Sequence, residues 1–295
     1  MFLNLLLLLA LPLLACSPHA LVQPHSWVAF YGTDAPPELL QDFAVIVVDS
    51  GFLGKVAPLK AKKSTVLAYI SLGELNAQRA QFAEAQKMGL LVLENPNWPG
   101  AWMVDVRDPR WHALVVDVLA SPLMARGFDG FFLDTVDSAL NLEQQDPQKY
   151  KGMRAGVIQL IQRLHHKFPQ AKLLMNGALG LVADLQAEVQ MVAVESSLTD
   201  WNFQTKTPSW RKPDDRTWAL NQMHKAKAAN PHLQIFTLDY WNAADKPGVA
   251  AIYQQQRADG FIPYVATIGL DRIVPEPKVP PGPMPKMPIF QPQKL

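Results

Sequence analysis

The chain has 295 residues, 49% of them hydrophobic, with 27 basic and 26 acidic side chains giving a formal net charge of +1. That content can bury one large core, and α/β barrels use this length as a single domain. There is no Lys/Arg-rich block, so nothing in the charge points to nucleic acid, and a near-neutral chain gains little long-range steering toward charged substrates.

Residues 1–15 are read as a targeting segment and set aside from the fold. Leu5 to Leu14 is apolar apart from Pro12 and too short to span a bilayer as a mature helix. It runs into Leu13-Leu14-Ala15-Cys16, which resembles the lipobox of bacterial lipoproteins. The resemblance implies cleavage before Cys16, acylation of that residue, and a lipidated linker over residues 16–25. Cys16 is the only cysteine, so no intramolecular disulfide can form. Several acyl chains would hold the protein on a membrane stably, and Ser17 favours the outer membrane by lipoprotein sorting. The expected location is therefore outside the cytoplasm, with the membrane as partner through Cys16.

From residue 26 to 273, short apolar runs alternate with longer amphipathic segments, the rhythm of βα units around a parallel sheet. The runs are Ser26–Tyr31, Ala44–Asp49, Val66–Ser71, Ala101–Val106, Gly130–Asp134, Leu173–Asn176, Met191–Glu195, Ile235–Asp239 and Ile262–Ala266. Helices are predicted over Arg110–Ala125, opened by Asp108-Pro109, and over Gly152–Phe168, Trp218–Ala229 and Val249–Arg257. A doubly wound sheet would carry a Gly-rich phosphate turn after its first strand, whereas Tyr31-Gly32-Thr33-Asp34 follows here. The expected fold is a (β/α)8 TIM barrel with one strand too many, either an extra edge strand or a misassigned run. After Arg272 the composition changes, with eight prolines between Pro275 and Pro292. That 274–295 tail is expected to pack on the barrel or to be disordered.

What ends these runs carries the chemistry. Asp49, Ser71 with Glu74 just beyond, Asp105, Asp134, Asn176, Glu195 and Asp239 stand at or near carboxyl ends, which in a barrel converge on one mouth. A single such acid more often caps the next helix, but a rim of them suits sugar hydroxyls or a divalent cation. None of the seven histidines ends a run, and adjacent His165-His166 cannot easily grip one zinc ion. A calcium or magnesium site built from aspartates stays open, although no EF-hand spacing occurs. No metal or other cofactor is assigned. The G-x-S-x-G elbow, the P-loop and a second cysteine are all missing, which removes serine hydrolase, nucleotide and dithiol chemistry.

Glycosidic cleavage needs a carboxylate as nucleophile or base and a protonated carboxyl as acid. Asp134 and Glu195 end apolar runs about two βα units apart with Asn176 between, and alternate strands share a layer. They should face one another across the mouth, which suits the short separation of a retaining enzyme, about 5–5.5 Å. Trp27, Tyr31, Tyr69, Trp98, Trp102, Trp201, Tyr240 and Trp241 fall near strand ends, and about half are expected to stack on sugar rings rather than fill core.

Ordered along the chain, Trp27 to Gly32, Ala68-Tyr69-Ile70-Ser71-Leu72-Gly73-Glu74, Trp102 to Asp105, Gly127-Phe128-Asp129-Gly130 through Asp134-Thr135-Val136-Asp137, Met175-Asn176-Gly177, Val194-Glu195 and Leu238-Asp239-Tyr240 resemble glycoside hydrolase family 114. The resemblance spans most of the chain. It implies a retaining endo-α-1,4-polygalactosaminidase with Asp134 as nucleophile and Glu195 as acid/base. It also implies that Asp49, Tyr69, Glu74, Asp105, Asp137, Asn176, Asp239 and Tyr240 line the cleft. The implied partner is a galactosamine-containing polysaccharide, whose ammonium groups would pair with the acidic rim. The alternative is a barrel that binds polysaccharide without cleaving it, within a synthesis or export system.

Overall fold

The computed structural model describes residues 26–290; the targeting segment and Cys16 lie outside the described residues. Eight parallel strands form one sheet in chain order: β1 (Trp27–Phe30), β2 (Val45–Val48), β3 (Thr65–Ser71), β4 (Gly130–Asp134), β5 (Lys172–Asn176), β6 (Met191–Glu195), β7 (Gln234–Tyr240) and β8 (Ile262–Ala266). Helices run between them, and β1 and β8 meet to leave the barrel nearly closed. The fold is a (β/α)8 TIM barrel.

The run Ala101–Val106 is the strand too many. Its residues Ala101–Val104 form the middle of a three-stranded antiparallel sheet with Glu74–Asn76 and Leu91–Glu94, in an excursion between β3 and β4. Alternating apolar residues look alike in a barrel strand and in an excursion, so the pattern could not separate them. A second excursion, the hairpin Thr199–Asn202 with Thr207–Trp210, follows β6.

Local chemistry explains the helices. Asp108 caps Pro109–Ala113, its carboxylate accepting the Arg110 amide at 2.8 Å with Pro109 in the first turn. The helix continues to Ala125 through a widened π turn over Leu114–Ala120, just before Pro122, whose ring nitrogen has no proton for a regular turn. Helix Pro213–Ala229 begins earlier than the apolar spacing suggested, because Pro213, Asp214 and Asp215 make a favourable first turn. Helix Val136–Gln145, directly after β4, had no expectation at all.

Aromatic side chains plug the barrel interior. Trp27 meets Phe236 and Tyr264 edge-on, at 5.5 and 6.1 Å between centroids, and donates its indole N–H to the Thr237 carbonyl at 3.3 Å. Toward the mouth, Tyr69 stacks on Phe132 at 6.3 Å, and Tyr31 packs edge-on against Tyr69 at 5.0 Å. This filled axis makes a floor, not a pore.

Outside β6 and β7 lies a buried polar network. Arg216 and Asp259, both without exposed side-chain surface, form an ion pair. Arg216 also donates to the Ser197 carbonyl at 2.8 Å, and Gln256 donates to Ser197 Oγ and to Asp239. The Pro-rich tail closes the same network. The Phe290 amide donates to Asp259 at 2.8 Å, and its ring sits 4.9 Å from that of Phe261. Met284 and Met287 pack on the cluster of Leu198, Val249, Ile252 and Tyr253, so the tail as far as Phe290 lies on the barrel as a strap.

Removing one partner of a buried pair strands the other charge. Asp259→Ala is expected to destabilise the fold by about 3–5 kcal/mol. Lys62→Ala, which breaks a solvent-exposed pair with Asp42, should leave the urea midpoint unchanged within error. Equal midpoints for the two variants would contradict this assignment.

Candidate active site

Three neighbouring strands end the same way. Asp134, Asn176 and Glu195 are the last residues of β4, β5 and β6, and each is followed by a residue in the left-handed region: Thr135 (φ 57°), Gly177 (φ 64°) and Ser196 (φ 52°). The reversal halts the strand at its terminal polar residue and sends the chain outward while that side chain stays at the mouth. For Thr135 and Ser196 this backbone costs of order 1–2 kcal/mol, and local contacts hold it. Thr135 Oγ1 accepts the Gly73 amide at 2.9 Å and lies 2.7 Å from Ser71 Oγ. The Ser196 amide donates to the Leu238 carbonyl at 2.8 Å, and its own carbonyl accepts from Arg211. Gly73 is required here, since a Cβ on it would stand 2.1 Å from the Thr135 carbonyl oxygen.

The three side chains form one unit. The Asn176 amide donates to Asp134 Oδ1 at 2.8 Å and to Glu195 Oε1 at 2.6 Å. Both carboxylate oxygens are bonded to a single nitrogen, so they lie less than two hydrogen-bond lengths apart. The opposite amide orientation would aim an acceptor at two acceptors. Tyr240 donates its hydroxyl to Glu195 Oε2 at 2.5 Å, and the Tyr69 hydroxyl bonds Asp134.

Glu195 is open to solvent on the mouth side and crowded by protein on the others. Loss of water on those crowded sides raises its pKa, the negative charge of Asp134 raises it further, and the Tyr240 and Asn176 hydrogen bonds oppose both. Crowding and the charge of Asp134 also raise Asp137, with Glu74 adding to them. Burial, followed by the charge of Asp134 at Tyr31 and Tyr69 and by the charge of Glu195 at Tyr240, holds the three phenols well above their ordinary value. These three are neutral and act as donors or packing surfaces.

The other expected residues divide. Glu74 is buried and accepts from Ser138 Oγ at 2.6 Å and Asn95 Nδ2 at 2.9 Å, tying the first excursion to the mouth. Asp49 stands at the end of β2 in a two-bond pair with Arg79, at 2.6 and 3.1 Å, beside Tyr69. Asp105 leaves the excursion strand rather than a barrel strand and pairs with Arg107, which holds it below its ordinary pKa. Asp239 is not in the cleft. Along β7, Tyr240 faces inward, so Asp239 faces outward. There it is fully buried and accepts the amides of Leu198 and Thr199, both at 2.9 Å. It clamps the segment that follows Glu195.

Three residues at the site were not singled out for it in the sequence. Ser138 and Asn95 hold Glu74, and Arg79 neutralises Asp49; none ends a strand, so position alone did not mark them. Among the aromatics, Tyr31, Tyr69 and Tyr240 reach the carboxylates, whereas Trp27 is core and Trp102 packs edge-on against Phe82. Among the described residues, no group of three or more His, Cys, Asp or Glu side chains has the arrangement to hold a metal ion.

The glycoside hydrolase domain of PelA from Pseudomonas aeruginosa superposes on this structure with a TM-score of 0.78 and 26% identity, over 86% of this chain and 98% of that one. Ega3 from Aspergillus fumigatus, solved in complex with galactosamine, shares the fold with a TM-score of 0.61 and 16% identity, over 84% of this chain and 93% of that one. An uncharacterised protein of Deinococcus radiodurans is 26% identical over 212 residues, which are 71% of this chain and 66% of that protein's length. The profile of glycoside-hydrolase family GH114 matches residues 13–278, and with the barrel and the paired carboxylates at its mouth, the chain belongs to that family.

Proposed function

We propose that this glycoside hydrolase is an endo-acting, retaining enzyme that cleaves α-1,4-linked galactosamine-rich polysaccharide, with Asp134 as nucleophile and Glu195 as acid/base. The observation that carries the reading is the single Asn176 amide bonded to both carboxylates. It holds them within the separation of about 5–5.5 Å typical of retaining pairs, too close for the water that an inverting pair spaced about 6.5–9.5 Å apart must admit.

The chemistry follows from the two environments. Glu195, raised in pKa, gives its proton to the glycosidic oxygen as the bond from that oxygen to the anomeric carbon breaks. Asp134 bonds to the same carbon from the opposite face. In the second half, Glu195 takes a proton from water, the water oxygen bonds to the anomeric carbon, and the bond to Asp134 breaks. Tyr240 and Asn176 stabilise the Glu195 anion between the two steps.

The charge at the mouth supports a cationic sugar. Among the described residues, Asp134, Glu195, Asp137 and Glu74 take part in no ion pair. Ammonium groups on a partly deacetylated galactosamine chain would supply the missing positive charge. A structure of the fold relative Ega3 was solved with galactosamine. We also propose that Cys16 anchors the enzyme outside the cytoplasm, on the reading of Leu13-Leu14-Ala15-Cys16 as a lipobox.

On partly deacetylated α-1,4-galactosamine polymer, Asp134→Asn and Glu195→Gln are expected to lower kcat at least about 10³-fold while retaining binding. Binding with no turnover by the unaltered enzyme would identify a binding barrel instead. Tyr240→Phe removes a donor that favours the charged form, so the Glu195 pKa should rise and the basic limb of the kcat/KM profile should move to higher pH; movement to lower pH would contradict the assignment. Cys16→Ser should shift the full-length protein from the membrane to the soluble fraction after cell lysis, and unchanged membrane retention would rule out the anchor.

A further inference from the structure

Two large aromatic side chains sit in water above the catalytic end without serving the core. Trp98 and Phe203 are 51% and 52% exposed, and they touch each other edge-to-face, with centroids 5.5 Å apart and planes at 85°. Scattered exposed hydrophobic residues need no explanation. These two, however, come from different excursions. Trp98 belongs to the one after β3, and Phe203 turns the hairpin after β6. The strands between β3 and β6 are β4 and β5, which carry Asp134 and Asn176. Both run almost directly into helical turns at Val136 and Leu179. The two excursions, which flank that sector in the strand order, touch through this ring pair.

Each ring stands on a fixed support. The Trp98 turn is closed by the Ala101 amide on the Trp98 carbonyl at 2.9 Å, the Gly100 amide on Glu94 at 2.7 Å and the Asn97 amide on Asn95 Oδ1 at 3.0 Å. The Asn95 side-chain amide reaches Glu74 beside the carboxylate cluster. The Phe203 turn is closed by the Gln204 and Thr205 amides on Asn202 Oδ1, both at 2.9 Å. Its strand starts at Thr199, which Asp239 clamps a few residues beyond Glu195. An edge-to-face pair covers one face of one ring only, so each partner keeps at least one face clear of the other, and such faces are what the C–H side of a pyranose stacks on.

We infer that Trp98 and Phe203 form an aromatic clasp that stacks pyranose rings of the same polysaccharide chain beyond those at the carboxylates, and that this clasp sets the enzyme's preference for long chains. The inference rests on the polysaccharide-hydrolase reading above. Bond making and breaking at Asp134 and Glu195 do not involve the clasp, so it acts through binding.

The test compares the unaltered enzyme with Trp98→Ala, Phe203→Ala, the double variant, and Trp98→Tyr with Phe203→Tyr. Substrates are partly deacetylated α-1,4-galactosamine polymer and the corresponding trisaccharide, with tryptophan fluorescence reporting binding and circular dichroism the fold. The double alanine variant should lose about tenfold or more in kcat/KM on polymer, mostly through KM, and stay within about twofold on trisaccharide. The tyrosine pair should recover most of the polymer activity, which a merely structural role for bulk at the hairpin tip would not require on one substrate alone. Unchanged kcat/KM on polymer in the folded double alanine variant, or an equal loss on both substrates, overturns the clasp. Should the unaltered enzyme bind polymer without cleaving it, the catalytic reading fails alone, and fluorescence-monitored affinity decides: weakened binding in the double variant supports the clasp, and equal affinity overturns it. No polymer binding by the unaltered enzyme overturns both.

Discussion

One amide nitrogen carries the arrangement of this site. The two N–H bonds of Asn176 reach Asp134 and Glu195 at the same time, which brings two acidic groups closer than their charges alone would allow. A neutral donor can hold such a pair without cancelling either charge, where an arginine or lysine would favour ionisation of both. The two groups therefore stay electrostatically coupled, and the charge on Asp134 helps keep a proton on Glu195. The rest of the molecule serves that coupling. Strands β4 to β6 each stop at a left-handed residue, and the aromatic floor of Trp27, Phe236 and Tyr264 fills the axis below. Asp239 and Arg216 tie down the chain that leaves Glu195.

Much of this was legible in the sequence because barrel strands are buried on both faces and end at one rim. Eight apolar runs correspond to the eight barrel strands, and Asp134, Asn176 and Glu195 end theirs in both the reading and the structure. What was not legible is side-chain direction. In Leu238-Asp239-Tyr240, the acid looks like the strand's functional terminus, yet the strand runs one residue further and Tyr240 takes the inward place. A shift of one position exchanges the two faces of a strand, and neither composition nor periodicity reports that shift. Asp105 fails for a different reason. Its strand belongs to an excursion whose alternation imitates a barrel strand, so its end points to a local pair with Arg107.

Net charge hid a local asymmetry as well. A chain at +1 collects Glu74, Asp134, Asp137 and Glu195 at one mouth, while Asp49 and Asp105 nearby in sequence order are matched by Arg79 and Arg107. Burial and hydrogen bonding as well as ion pairing set the structural carboxylates, such as the buried Asp239 and Glu74, apart from Asp134 and Glu195, and that distinction needs coordinates.

The central claim is that the Asn176-bridged pair works by double displacement. The direct test is proton magnetic resonance of the products in the first minutes of polymer cleavage, before the sugar released at the new reducing end equilibrates between anomers. The account predicts that the α anomer appears first, because two inversions at the anomeric carbon restore the starting configuration. First appearance of the β anomer would show a single displacement by water and would contradict it.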